Sequence, residues 1–371
     1  MKAETRRVSA GKGTLKLSLV LVALLLTLAS CLVTACGSKE QSDNQPSTIE
    51  PSDSPAMPAR GYFKGSLPNA PSGTEMTAAY ASAANTMEFV PVWGRPTPFY
   101  DLATDLSGGY GTLWVQQLIR DNGMFPVIHM SFLDAGVTLK APPAMSGATL
   151  SSNEWREAYK QAALDIVRAA KPRYLSLGNE VNRWYEKYGA HAGDANGFQN
   201  WVSLYNETYD AVKALSPQTK VFCTFAREMV DQLREADLEV LKMFDPAKID
   251  ILVFTSYPYS VRKDKNGAML TKPFNRPADI PDDYYSRALT YMPGKSLGFS
   301  EVAWTSADFY GGEGAQADFL TQVVGRLTTG QGAKLELLGW CWIYDISADQ
   351  PVGLIRSDGT EKTAYGLWKS L

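Results

Sequence analysis

Histidine is almost absent from this chain, with only His129 and His191 among 371 residues. So few give poor support to a Ser-His-Asp hydrolase or a histidine-held zinc centre. Cysteine is scarce as well. Of four, Cys31 and Cys36 fall within the first 36 residues, which leaves Cys223 and Cys341, each inside an apolar run. Two buried thiols make no disulfide framework. No Gly-rich phosphate loop follows the early strand-like runs, which counts against a nucleotide-binding sheet. Basic excess is lacking too. The whole chain has 36 basic and 39 acidic side chains; setting aside five basic and one acidic in the first 36 residues leaves 31 against 38, a net of −7. Nucleic acid is not expected as a partner for that balance, and no metal or cofactor is expected.

Long apolar runs are missing except at the start. There, Lys2, Arg6, Arg7, Lys12 and Lys16 precede the apolar stretch 17–28, which is short of the roughly 20 residues a membrane span needs. This is the layout of an export signal. It ends in Leu28-Ala-Ser-Cys31 and then Val33-Thr-Ala-Cys36-Gly-Ser. Both resemble the bacterial lipobox, whose cysteine is lipidated. Cys36 is the favoured site and Cys31 the alternative, with a plain secretory signal as the other reading. The expected organisation is a lipoprotein signal over 1–36, a disordered tether over 37–60 and one folded domain over 61–371. The tether is rich in Ser, Pro, Asp and Gln and poor in large apolar side chains, so it cannot offset its ordering entropy. A membrane partner through the lipid, on the extracytoplasmic side, follows from this reading. A monomer is expected.

From Gly61 onward, strand-like and helical patterns alternate. The strand-like runs are 62–67, 87–93, 125–131, 173–178, 220–225, 249–256, 296–300 and 335–343. Helical patterns lie at 74–84, 112–122, 155–170, 198–215, 233–244, 282–291, 315–328 and 364–370. In 155–170, Tyr159, Ala163, Ile166, Val167 and Ala170 recur at three and four residues, giving one buried face. Continuous apolar runs such as Leu252-Val-Phe254 suit a sheet covered on both faces. Eight successive βα units predict an α/β fold, a closed (β/α)8 TIM barrel.

Two glutamates each follow such a run directly: Glu180 in Leu177-Gly-Asn-Glu180 and Glu301 in Gly298-Phe-Ser-Glu301. On this count they end strands four and seven, at the C-terminal face where barrel enzymes hold their chemistry. Paired carboxylates there are what glycoside hydrolysis needs. Nine Trp and eighteen Tyr, several at strand ends, add faces on which sugar rings stack.

The pieces Gly178-Asn179-Glu180, Phe299-Ser300-Glu301 and Gly339-Trp-Cys-Trp342 resemble clan A of the retaining glycoside hydrolases. Stretch 175–182 and Thr255-Ser-Tyr257-Pro are closest in style to the endo-β-1,4-galactanases. The resemblance implies a surface-anchored hydrolase of a polysaccharide or oligosaccharide. Glu180 would be the acid/base, its proton affinity lifted by desolvation, and Glu301 an ionised nucleophile. It further implies Asn179 on the sugar 2-hydroxyl, Tyr257 orienting Glu301 and Trp342 flooring a subsite. Tyr259 competes with Tyr257; Trp340 competes with Trp342, because strand alternation puts both on one side. His129, after strand three, is a substrate or packing residue, and Trp93 and Trp304 are candidate sugar platforms. Loop 184–196 is expected to form a cleft wall, and Arg227 and Glu228 have no assigned role. The alternative is a non-catalytic carbohydrate-binding lipoprotein on a degenerate barrel. Sugar, linkage and endo or exo action stay open.

Overall fold

A computed structural model of the chain describes residues 48–69, 71, 73–93, 98–328 and 333–371. The expected signal, both lipobox cysteines and tether residues 37–47 lie outside the described residues.

Eight parallel strands form the barrel: β1 (Phe63–Leu67), β2 (Phe89–Trp93), β3 (Phe125–His129), β4 (Tyr174–Ser176), β5 (Lys220–Phe222 and Thr224–Ala226), β6 (Leu252–Ser256), β7 (Ser296–Val302) and β8 (Lys334–Trp342). β1 pairs with β2 and with β8. β5 closes the ring, because Lys220–Phe222 pairs with β4 and Thr224–Ala226 pairs with β6. The (β/α)8 expectation matches this architecture. The barrel interior is filled mainly by rings and branched chains, including Phe63, Phe89, Phe125, Tyr174, Phe222 and Val253. Gly65 is what lets Phe89 in, since a Cβ there would lie 2.4 Å from its ring.

Helices α1 (Met76–Ala83), α2 (Phe99–Ser107), α3 (Asn153–Ala170), α4 (Asn182–Tyr188), α5 (Phe198–Leu215), α6 (Gly312–Thr328) and α7 (Thr363–Ser370) surround the strands. The helix expected at 112–122 has wide π geometry over Gly111–Ile119 and then a tight turn that ends on left-handed Gly123. Two expected helices are corrected. Over 233–244 the chain first makes a short antiparallel pair with 228–229, and only Leu238–Met243 coils, as a 3-10 turn capped by Asp237. Over 282–291 only Ser286–Thr290 coils. α2 and α4 fall where no helix was expected.

The tether is corrected from residue 48 onward. Ile49 N–H donates to the Leu215 carbonyl at 2.8 Å and Ser52 N–H to that of Lys171 at 2.9 Å. These are carbonyls at the ends of α5 and α3, which a helix leaves without partners. Asp53 takes three hydrogen bonds from the Arg120 guanidinium, and Arg173 donates to the Pro55 carbonyl. The segment's polar composition therefore serves helix termini rather than solvent. Asp53 and Arg120 are both mostly buried. Asp53→Ala should lower the free energy of unfolding by about 3 kcal/mol, as for a broken buried pair. Urea denaturation checks this, and an unchanged midpoint would return residues 48–60 to the status of a tether.

Candidate active site

At the C-terminal ends of the strands lies a cleft of about 900 Å³, lined among others by Trp93, His129, Asn179, Glu180, Glu301 and Trp342. Two local distortions of the barrel place its carboxylates. In β7, Phe254 of β6 opposes Phe299 but the next residue, Thr255, opposes Glu301, so Ser300 is an extra residue. The same break appears against β8, between Phe299 and Val302. A bulge of this kind re-aims the side chain that follows it. Gly339 of β8 makes room for it, because a Cβ there would come within 2.6 Å of the Phe299 and Ser300 carbonyl oxygens. Glu301 is thereby turned into the cleft.

Glu180 is held differently. Its φ of +48° is left-handed, a conformation that costs a non-glycine residue energy and survives only when neighbours fix it. Thr224 on β5 does so with one hydroxyl, which accepts the Glu180 N–H at 2.8 Å and donates to Asn179 Oδ1 at 2.7 Å. With Oδ1 occupied, the Asn179 amide NH2 remains for the cleft that Asn179 lines. The Thr255 hydroxyl donates to Glu180 Oε1 at 2.8 Å, while its backbone stands opposite Glu301. Arg183, one turn along, reaches Glu180 Oε2 at 3.3 Å and Asp231 at 3.6 Å.

Tyr257, not Tyr259, meets Glu301: its hydroxyl donates to Glu301 Oε2 in a short hydrogen bond. Tyr259 instead packs against Trp304 and Tyr310. Burial and the Glu301 charge push the Tyr257 hydroxyl well above its usual range, so it remains a donor. Desolvation lifts the Glu301 carboxyl to about 7, against the lowering effect of Tyr257 and with a further rise from the Glu180 charge. Both carboxylates are half-buried, with the Glu180 side chain 24% exposed beside Arg183.

Trp342 lines the cleft, whereas Trp340 is in the core with its indole N–H on the Val352 carbonyl. Strand alternation fails here because a register shift leaves Cys341 unopposed between Ser66 and Leu67 of β1. Trp93 lines the cleft and stacks on His129, ring centres 4.0 Å apart. Neither ring nitrogen of His129 has a partner among the described residues, and burial lowers its pKa to about 3, so it is a neutral imidazole. Trp304 is corrected as a platform. It is 0% exposed, packed against Phe319 of α6.

The wall expected from 184–196 is supplied by α4, through Arg183, Glu186 and Lys187. Lys187 also donates to the Gly136 carbonyl at 2.8 Å and to that of Val137, tying down a hairpin at 133–139 that forms the adjoining wall. Thr224, Thr255 and Arg183 were missed in the sequence. The signal for the two threonines was their position at strand ends; for Arg183 it was the helical spacing from Glu180.

No family model matches the chain, and no curated protein matches it. Solved structures are similar in fold. Native xylanase 10B from Thermotoga maritima superposes with TM-score 0.57 at 11% identity, covering 84% of this chain and 94% of that one. Beta-glycosidase BGL167 gives 0.55 at 12%, covering 80% and 84%. GH5_18 from Streptomyces cattleya, in complex with GlcNAc, gives 0.54 at 13%, covering 86% and 78%. At such identities the likeness is one of fold.

Folding raises the Glu301 pKa from 4.5 to about 7, so the folded state disfavours the ionised form. Its contribution to stability is therefore unfavourable above pH 7 and fades as pH falls through 4.5. Glu301→Gln should be more stable than the unaltered protein at pH 7 and above, with the difference vanishing below pH 4.5. Urea unfolding across that range checks it; a pH-independent difference would contradict the burial argument.

Proposed function

We propose that the protein is a retaining glycoside hydrolase in which Glu301 is the nucleophile and Glu180 the acid/base. One observation carries the reading. Thr255 holds Glu180 with its side chain while standing opposite Glu301 in the sheet, so two carboxylates from β4 and β7 share one cleft. Fold similarity to xylanase and glycosidase structures supports an O-glycoside as substrate, though a barrel alone hosts many chemistries.

In the first step the Glu301 carboxylate attacks the anomeric carbon while the Glu180 carboxyl protonates the departing oxygen, leaving a glycosyl ester on Glu301. The Tyr257 hydroxyl favours the ionised, attacking form of Glu301. A bound glycan removes water from Glu180, the condition under which a carboxyl keeps its proton. In the second step Glu180, now a carboxylate, takes a proton from water, whose oxygen attacks the anomeric carbon and releases Glu301. Arg183 favours that ionised base once the ester has neutralised Glu301. Asn179 offers its amide NH2 to the sugar 2-hydroxyl, and Trp93 and Trp342 supply ring faces. His129, buried and neutral, stacks against Trp93 and supports that ring. The leader sequence supports a membrane location for this activity, through lipid on Cys36.

Two tests separate roles. Glu301→Ala should abolish turnover of every glycoside, whereas Glu180→Ala should spare the first step for aryl glycosides with good leaving groups. Azide should then restore turnover of Glu180→Ala and give a glycosyl azide of retained configuration. Equal losses with every leaving group and no azide rescue would reject the assignment. A binding-only protein would show no turnover before mutation. Separately, Cys36→Ser should release the protein from membranes with its activity per molecule intact; retention with lipid on Cys31 would identify the other lipobox.

A further inference from the structure

Behind the cleft floor sits a third carboxylate with no part in the steps above. Glu228, just past β5, is 2% exposed. Its Oε1 accepts from the Tyr284 hydroxyl at 2.7 Å and the Ser256 hydroxyl at 2.9 Å, and its Oε2 accepts the Tyr257 N–H at 2.7 Å. Arg227 precedes it but points elsewhere. That guanidinium lies 3.6 Å over the Tyr284 ring and bonds Glu235 and the Tyr284 carbonyl. Among the described residues Glu228 thus has no direct ion pair, and desolvation lifts it to about 7 despite the Arg227 charge and three hydrogen bonds. The groups that face it are Arg227 beside it, Ser256 and Tyr257 from the end of β6, Tyr259 just after them, and Tyr284 and Tyr285 from segment 282–291, with Glu235 beyond Arg227.

A buried carboxylate this costly is weak support for stability, since apolar residues of similar volume often do as well or better. What Glu228 does hold is the backbone of the residue whose hydroxyl grips Glu301. Tyr257 leaves β6 at φ −135° and ψ 66°, outside the strand conformation. Its N–H is therefore beyond the sheet ladder, and Glu228 supplies the acceptor. We propose that Glu228 is a positioning residue for the hydrolytic reaction: by fixing the Tyr257 backbone it fixes the hydroxyl that orients Glu301.

This rests on the reading of Glu301 as nucleophile, so the test has one arm without substrate. In protein labelled with ¹³Cδ glutamate, the Glu301 carboxyl carbon, identified by its loss in Glu301→Gln, is titrated by NMR. Glu228→Met keeps the volume but removes the acceptor, so the Tyr257–Glu301 bond loosens and the Glu301 midpoint should rise. Tyr257→Phe should raise it too, and the double variant should match Tyr257→Phe alone. Glu228→Gln retains an acceptor for the Tyr257 N–H and should stay near the unaltered midpoint. A direct charge effect of Glu228 would have the opposite sign, lowering the midpoint in both Glu228 variants. An unchanged midpoint in Glu228→Met, or full additivity with Tyr257→Phe, would overturn the proposal. Tyr284→Phe removes one donor to Glu228 without emptying space. It should shift the midpoint the same way by less, and it carries the test if Glu228→Met does not fold. In the activity arm, Glu228→Met should lower kcat by about 10²-fold with KM little changed, the scale of a misplaced reacting group. Absence of any glycoside turnover in the unaltered protein would reject the function while leaving the titration to judge the positioning.

Discussion

One extra residue in β7 governs the site. Without Ser300, the residue after Phe299 would keep the ordinary alternation and Glu301 would not face the cleft as it does. The rest of the cleft floor is arranged around that bulge. Gly339 has no side chain where the bulged carbonyls approach. Thr255 shifts register to stand opposite Glu301 and spends its hydroxyl on Glu180. Tyr257, the second residue past Thr255, donates to Glu301. The partner carboxylate needs a distortion of its own, the left-handed backbone at Glu180, which Thr224 holds in place.

These placements load the fold with unfavourable charge. Glu301 and Glu228 are both lifted to about 7 by burial, and both accept a hydrogen bond from Tyr257. Hydrogen bonds from Tyr257, Tyr284 and Ser256 offset part of that cost. Strain and desolvation gathered at one end of a barrel whose interior is otherwise aromatic and aliphatic are what a site under functional constraint displays. The opposite end carries ordinary structural polarity, such as the Asp53–Arg120 pair and the carbonyls met by residues 49 and 52.

Much of this was legible in the sequence, for physical reasons. A strand covered on both faces must be apolar throughout, so all eight strands could be read, and the two glutamates stood out as charges at the ends of such runs. The long helices α3 and α5 announced themselves by one apolar face. Bulges leave no comparable mark. Cys341 and Ser300 look like any strand residue, so alternation put Trp340 beside Trp342 when only Trp342 reaches the cleft. Trp304 was misread because a tryptophan just past a strand end can turn either way, and packing against Phe319 decided it. Residues 48–60 were misread because composition reports the lack of an apolar core, not the presence of helix ends in need of donors.

The central claim is that Glu301 forms the covalent bond. Activated 2-deoxy-2-fluoro glycosides of several sugars slow breakdown of a glycosyl ester more than its formation when a good leaving group is present, so the intermediate accumulates on the nucleophile. Incubating the protein with such a panel, then digesting it and locating the added mass by spectrometry, reads the nucleophile directly. The account predicts one equivalent of sugar on the peptide that contains Glu301, with activity lost in proportion. Label on Glu180, or turnover of the matching glycoside with inverted configuration and no label at all, would contradict it.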